Sequence, residues 1–527
     1  MKGRWMMLMV LSAIICHLSC SPAGAQIRMN LGRNAPMQKL VNAEMAIMNM
    51  YVDSVDENKL VEEGIRGMLK SLDPHSSYAT KEEVKAMQES LVGNFEGIGV
   101  EFNIIDDTLL VIQPVMGGPS EKVGIQPGDR IVSVDGDPIA GVKKSKEEIM
   151  RRLRGPKGTK VVLGVVRQGI SEQLSFRVTR DKIPVKTVAA SYMLRPGVGY
   201  IRISSFGATT HDEFASSMDK LLKEGMKSLV LDLQENGGGL LSAAVEIANE
   251  FLQKGDLIVY TDGRDRSEYR ARGNGRFLKG QVIVLVDGYS ASASEIVTGA
   301  IQDQDRGVVV GRRTFGKGLV QRQITLPDTS MIRLTIAHYY TPAGRCIQKP
   351  YEKGKGEDYA MDMQNRLLSG ELTNADSIHF ADSLRYYTLR KHRVVYGGGG
   401  IMPDHFVPLD TTLFTRFHRA LQAKSIVLNA NLRYVDEHRS ELKQRFNSFT
   451  VYQKTFEIPQ SLIDTIVAEG ERQDIKPKDN EELERTLPYL KQQLKALVAR
   501  DLWGMDEYFA IMNESNPIVR EAVKLLE

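Results

Sequence analysis

Cysteine is scarce in this chain of 527 residues. There are three, and two of them, Cys16 and Cys20, lie in or beside an N-terminal apolar run. Only Cys346 remains beyond that run, which excludes an internal disulfide framework in the mature chain. Cys346 stands in "AGRCIQ" without an obvious base beside it, and reads as structural. Charge of one sign is also missing. The formal net charge is +3, which gives no basis for a nucleic-acid partner. Long hydrophobic runs are absent too. The longest candidate, Trp5 to Ile15, is too short to span a membrane. Histidines number nine, and His75, the one in the "LDPHSSY" stretch, has no second histidine, cysteine or paired carboxylate beside it at metal-ligand spacing. No metal and no organic cofactor is expected.

What is present begins with export. Lys2 and Arg4 precede the apolar run, and "SPAGAQ" follows with Ala23-Gly24-Ala25 as a cleavage motif. The reading is a secretory signal peptide over 1–25. Cleavage removes two basic residues and leaves +1, in a periplasmic or cell-envelope protein without a stable membrane span. Lipid anchoring at Cys20 is an alternative, with His17 a poor residue to open such a motif.

Residues 38–72 carry apolar residues at spacings of three and four, which predicts helices. "LDPHSSY" ends them, with Pro74 as breaker and His75 read as a turn residue. Residues 93–180 alternate short strands with two helices, and "PGDRIVSVDG" ends on an Asp-Gly turn. This order resembles a PDZ domain. Gly97, Ile98, Gly99 and Val100 then match the loop that receives a peptide C-terminus, where backbone N–H groups face a carboxylate and the next strand edge accepts the peptide.

From 181 to about 350, strands and helices alternate as in an α/β core. A long hairpin follows, turning at Pro327-Asp328. Residues 405–527 read as helical, and no chemistry is visible there.

The chemistry lies in "VDGYSASASEIV". A strand runs into Asp287-Gly288 and a helix begins among three serines. A serine at such a turn is exposed to helix N–H groups and the positive end of the dipole, which suits an oxyanion, although a plain helix cap explains one serine equally well. A nucleophilic serine needs a base. Neither His211 nor His338 lies in a triad-like motif, whereas "FGKG" sets Lys317 between glycines in an apolar run. Desolvation there lowers an amine's pKa towards the range of a base.

The combination resembles the C-terminal processing peptidases, or tail-specific proteases. Lys317 follows Ser292 by 25 residues and Gln321 comes four later. "LDPHSSY", "LDLQENGGGLL", "YYTPAGRCIQ" and "GIMPDHF" also look like stretches of that family. The resemblance implies Ser292 as nucleophile, Lys317 as general base and Gln321 as the residue that orients the lysine. It implies oxyanion N–H groups from Gly238 and Ala293, and Asp303 as a supporting acid. Gln234 departs from the arginine often found after "LDL". On an extended strand, Lys317 and Gln321 stand about 13 Å apart at Cβ, so their contact requires a bend near Gly318 or long side chains reaching towards each other.

The expected architecture is α/β and multidomain. It comprises a helical region at 26–92, a β-rich PDZ domain at 93–180, an α/β serine protease core at 181–404 and a helical region at 405–527. The implied function is a serine endopeptidase that binds protein substrates through their C-termini, as a monomer or a homodimer. The rival is a non-catalytic PDZ scaffold of the cell envelope.

Overall fold

The computed structural model describes residues 35–412 and 414–527. The expected signal peptide, with Cys16 and Cys20, lies outside them. Two compact units divide at Gly67 and Met68. The first holds the helix Ala35–Met50 and most of the helix Glu57–Lys70, as the spacing predicts. Ala35–Met50 buries none of its residues.

The second unit is built on a six-stranded sheet. Its order is Val188–Arg195, Val198–Ile203, Ser228–Asp232, Gln281–Val286, Val308–Gly311 and His405–Phe406. The first pair is antiparallel and every other pair is parallel. Parallel strands need helical crossovers and are buried on both faces, hence the unbroken apolar runs "LVL" and "VIVLV". On one face, Leu229, Leu231, Val282 and Val284 meet Phe214, Met218, Ile247, Val297 and Ile301 from three helices. The alternate residues Val230, Ile283, Leu285 and Val310 point the other way, with Tyr200. They are covered by Ile518, Val519 and Ala522 of the C-terminal helix Pro517–Leu525. The end of the chain is thus one layer of the central sandwich.

A second sheet carries the long hairpin. Leu319–Thr325 pairs antiparallel with Met331–Tyr340. The turn between them is held where Ser330 donates its N–H and hydroxyl to Asp328 Oδ1. The short strand Ser77–Ala79 pairs with the opposite edge of Met331–Tyr340, so the segment after "LDPHS" is part of this second sheet rather than of a helix.

The PDZ-like unit has its own sheet, ordered Val100–Ile105, Thr108–Pro114, Arg130–Val134, Lys160–Val166 and Leu174–Thr179, around its own apolar core. Val100–Ile105 is an edge strand. Helix Ile426–Arg445 from the C-terminal region docks on this unit. Arg130 pairs with Asp436 at 2.5 Å and Arg433 with Asp106 at 2.7 Å.

Candidate active site

The three serines separate by task. Ser290 donates its hydroxyl to Leu233 O and accepts the Asp287 N–H, closing the turn after the strand. Ser294 donates to Asn236 O. Ser292 lies between them at φ 57° and ψ −111°, strained for a residue with a Cβ, immediately before the helix Ala293–Asp303. All eleven residues of that helix are buried, so its N-terminal dipole acts in a medium that screens it little. The Ala293 amide, first in the helix, donates to nothing among the described residues.

Lys317 precedes the hairpin strand and is half-buried. Its amine donates to Gln321 Oε1 at 3.2 Å. The two side chains meet, and the pairing register shifts between Val320 and Gln321 rather than at Gly318. A bulge of this kind re-aims a side chain that a regular strand would carry away. Burial lowers the Lys317 pKa to about 8, with the Arg333 charge adding to the effect while Glu295 and Asp73 oppose it.

Glu295 joins the two elements. It is wholly buried. Its Oε2 accepts the backbone N–H of Ser292 at 2.8 Å and of Lys317 at 2.9 Å. Its Oε1 accepts the Thr314 hydroxyl at 2.5 Å and the Gly316 N–H at 2.7 Å. Burial raises its pKa, and these four donors work against that rise. On the carbonyl side, the Tyr339 hydroxyl stands against both Ser292 O and Lys317 O. The backbones of the two residues are therefore fixed to common groups. No hydrogen bond joins Ser292 Oγ to Lys317 Nζ among the described residues; such contacts can tighten only when substrate binds.

Gly238 differs from expectation. Its Cα lies against the serine turn, but its N–H is donated to Asn236 Oδ1 at 2.8 Å and so is not presented as an oxyanion donor. Asn236 is buried and ties this glycine loop to the turn. Its side chain donates to Ile203 O, and its carbonyl accepts from Ala291 N–H as well as from Ser294. Asp303 sits at the far end of the helix, where it pairs with wholly buried Arg345 at 2.5 Å and accepts the Ala343 N–H, away from Ser292 and Lys317. Gln234 donates its backbone N–H to Asp232 Oδ1, and its side chain reaches Asn516 at 3.5 Å.

Glu295, Asn236, Thr314 and Tyr339 are not singled out from the sequence, and Asp73–Ser76 is read there as a turn without a contact to the site. For Glu295 a signal existed, because Ser-x-x-Glu at a helix start is a capping-box spacing. The other contacts join segments far apart in the chain.

In the PDZ-like unit, Gly99 takes φ 72°, and a Cβ there would meet Ile183 Cδ1 at 2.8 Å. The N–H groups of Ile98 and Gly99 have no acceptor among the described residues, while their carbonyls accept from Ser120 and Val115. Gly97 pairs with Asp181, and Val100 opens the edge strand opposite Pro114.

The model of peptidase family S41 matches residues 197–359. A PDZ model matches 110–167, an N-terminal domain model of the activating protease CtpB matches 19–83, and a family of unknown function matches 417–504. A carboxy-terminal-processing protease of Bartonella bacilliformis is 39% identical over 57% of this chain and 70% of its own length. The chain belongs to the carboxy-terminal processing proteases. A second relative, the carboxy-terminal processing protease CtpB of Bacillus subtilis, is 38% identical over 62% of this chain and 68% of its own. A solved photosystem II D1 C-terminal processing protease is 30% identical and aligns over 60% of this chain and 91% of its own, with a TM-score of 0.34. The family is one of serine proteases joined to a PDZ domain, and no helix among the described residues is long and apolar enough to cross a membrane.

Proposed function

We propose that this protease is an exported endopeptidase with a Ser292–Lys317 dyad that cleaves proteins after recognising their C-terminal tails. The observation that carries the reading is the common anchorage of the two residues on Glu295 Oε2, with the amine half-buried and depressed to about pH 8. Neutral Lys317 takes the Ser292 Oγ proton, and the oxygen attacks the scissile carbonyl. The Ala293 N–H and the helix dipole hold the oxyanion. Lys317 returns its proton to the leaving amine, and water then hydrolyses the acyl-enzyme by the same route. Gln321 orients the amine, and Asp303 keeps the helix in place through Arg345. Neither a metal nor an organic cofactor enters these steps.

The tail binds the 93–180 domain, its carboxylate on the Ile98 and Gly99 amides within Gly97–Val100 and its backbone along the Val100–Ile105 edge. The remaining parts are the signal over 1–25, the region 26–92, the core 181–404 and the region 405–527. Homodimers form through the terminal helices, a reading supported by the unburied helix Ala35–Met50. Export rests on the Lys2–Ala25 sequence.

The test is proteolysis of an unfolded protein with an apolar C-terminus, with and without that tail. Wild type cleaves the tailed form faster; Ser292→Ala and Lys317→Ala remain folded and cleave neither. Cleavage by either variant would overturn the dyad, and an inert wild type would favour the scaffold.

A further inference from the structure

Gln321 raises a question that its contact with Lys317 does not answer. A glutamine amide has two ends of nearly the same shape, and only one of them accepts a hydrogen bond. If nitrogen faced the amine, the lysine would lose its acceptor. The end presented is fixed from outside. Gln321 Nε2 donates to the backbone carbonyl of His75 at 2.6 Å. A carbonyl can only accept, so the amide nitrogen is committed to it and Oε1 is left for Lys317.

That carbonyl belongs to a turn held from two sides. Asp73 Oδ1 accepts the N–H groups of His75 and Ser76, each at 2.9 Å, and Oδ2 accepts the Ser76 hydroxyl at 2.5 Å. Thr335 lies directly opposite Gln321 in the hairpin. Its hydroxyl donates to Asp73 Oδ1 at 3.0 Å and its N–H to Ser76 Oγ at 3.1 Å. The turn is thereby fixed to the hairpin that carries Gln321.

The His75 ring closes a circuit back to the lysine. Gly318, next to Lys317, donates its N–H to Gln348 Oε1 at 2.9 Å. Gln348 Nε2 donates to Tyr359 Oη at 3.2 Å. The Tyr359 proton is then free for His75 Nε2, 2.8 Å away. This direction requires a neutral ring with its proton on Nδ1. Burial, together with the Lys317 charge, lowers the His75 pKa to about 4, in agreement with a neutral ring.

We propose that the Asp73–Ser76 turn is the positioning element of the general base. Through the His75 carbonyl it sets which end of Gln321 faces Lys317, and so holds the amine in its working place. His75, Asp73 and Tyr359 are positioning residues that act through Gln321. The inference rests on the dyad reading above, and its test keeps the two apart.

Asp73→Ala and Tyr359→Phe are each made alone and in a Gln321→Ala background, beside Ser292→Ala and Lys317→Ala, with unfolding transitions recorded for all. Asp73→Ala is expected to lower kcat by about 10- to 100-fold at nearly constant KM. Tyr359→Phe, which keeps the ring in place, has a smaller effect of the same kind. In the Gln321→Ala background both losses vanish, because the residue they act through is gone. Losses that persist at full size in that background, or wild-type kcat in both single variants, would overturn the positioning role. If Asp73→Ala does not fold, the Tyr359→Phe pair decides alone. Activity in Lys317→Ala would instead end the dyad reading, whatever the turn variants do.

Discussion

Ser292 and Lys317 donate their backbone N–H groups to a single oxygen of a buried carboxylate, Glu295 Oε2, at 2.8 and 2.9 Å. One residue begins a helix and the other precedes a strand. Their separation is therefore set by a side chain rather than by either element's own geometry. The Tyr339 hydroxyl repeats the arrangement on the carbonyl side.

Glu295→Gln should disable this anchor. Glutamine offers one oxygen where four donors converge in pairs, so its amide nitrogen must face two of them. Each donor left unpaired costs about 1–3 kcal/mol. Urea unfolding is expected to show that loss, and kcat to fall by about 100-fold through the displaced dyad. Wild-type stability and turnover together would show that the carboxylate does not set the separation.

Activity should rise with pH through about 8, the pKa of the Lys317 amine. Below that value the amine is charged and cannot take the serine proton; above it, the amine is neutral and competent. The Arg333 charge helps to hold the pKa down. Arg333→Gln should therefore raise it and move the acid limb of the kcat profile to higher pH. A limb that stays in place or moves down would contradict the assigned base.

Gly238→Ala should abolish cleavage even though the Gly238 N–H is turned towards Asn236. The new Cβ would stand 2.7 Å from Ala291 O, 2.8 Å from Ser292 Cβ and 2.9 Å from Ala293 N, at φ 98°. Two of these neighbours are backbone atoms of the serine turn and cannot rotate away. Loss of Ser292 labelling by a fluorophosphonate probe, with circular dichroism preserved, would report the displaced turn. Normal labelling would show that the loop yields instead.

Much of this protein was legible in one dimension. Serine between strand and helix, lysine between glycines, the Pro327-Asp328 hairpin and the alternating elements of the core each express a local rule, in which turn chemistry or periodicity dictates backbone shape within a few residues. Those rules fixed the elements, and the resemblance they carry pointed to Ser292, Lys317 and Gln321. Local rules say nothing about which distant groups meet. That Glu295 accepts from the backbones of both Ser292 and Lys317 follows from the packing of the Ala293–Asp303 helix beside the 314–317 loop. That the turn at Asp73 meets Gln321 follows from a short strand pairing some 250 residues down the chain. That the Gly238 amide turns away, and that Ile518 and Val519 cover the sheet's second face, were likewise decided in three dimensions. Hydrogen-bond direction and burial depend on the partner, and only the tertiary structure supplied the partner.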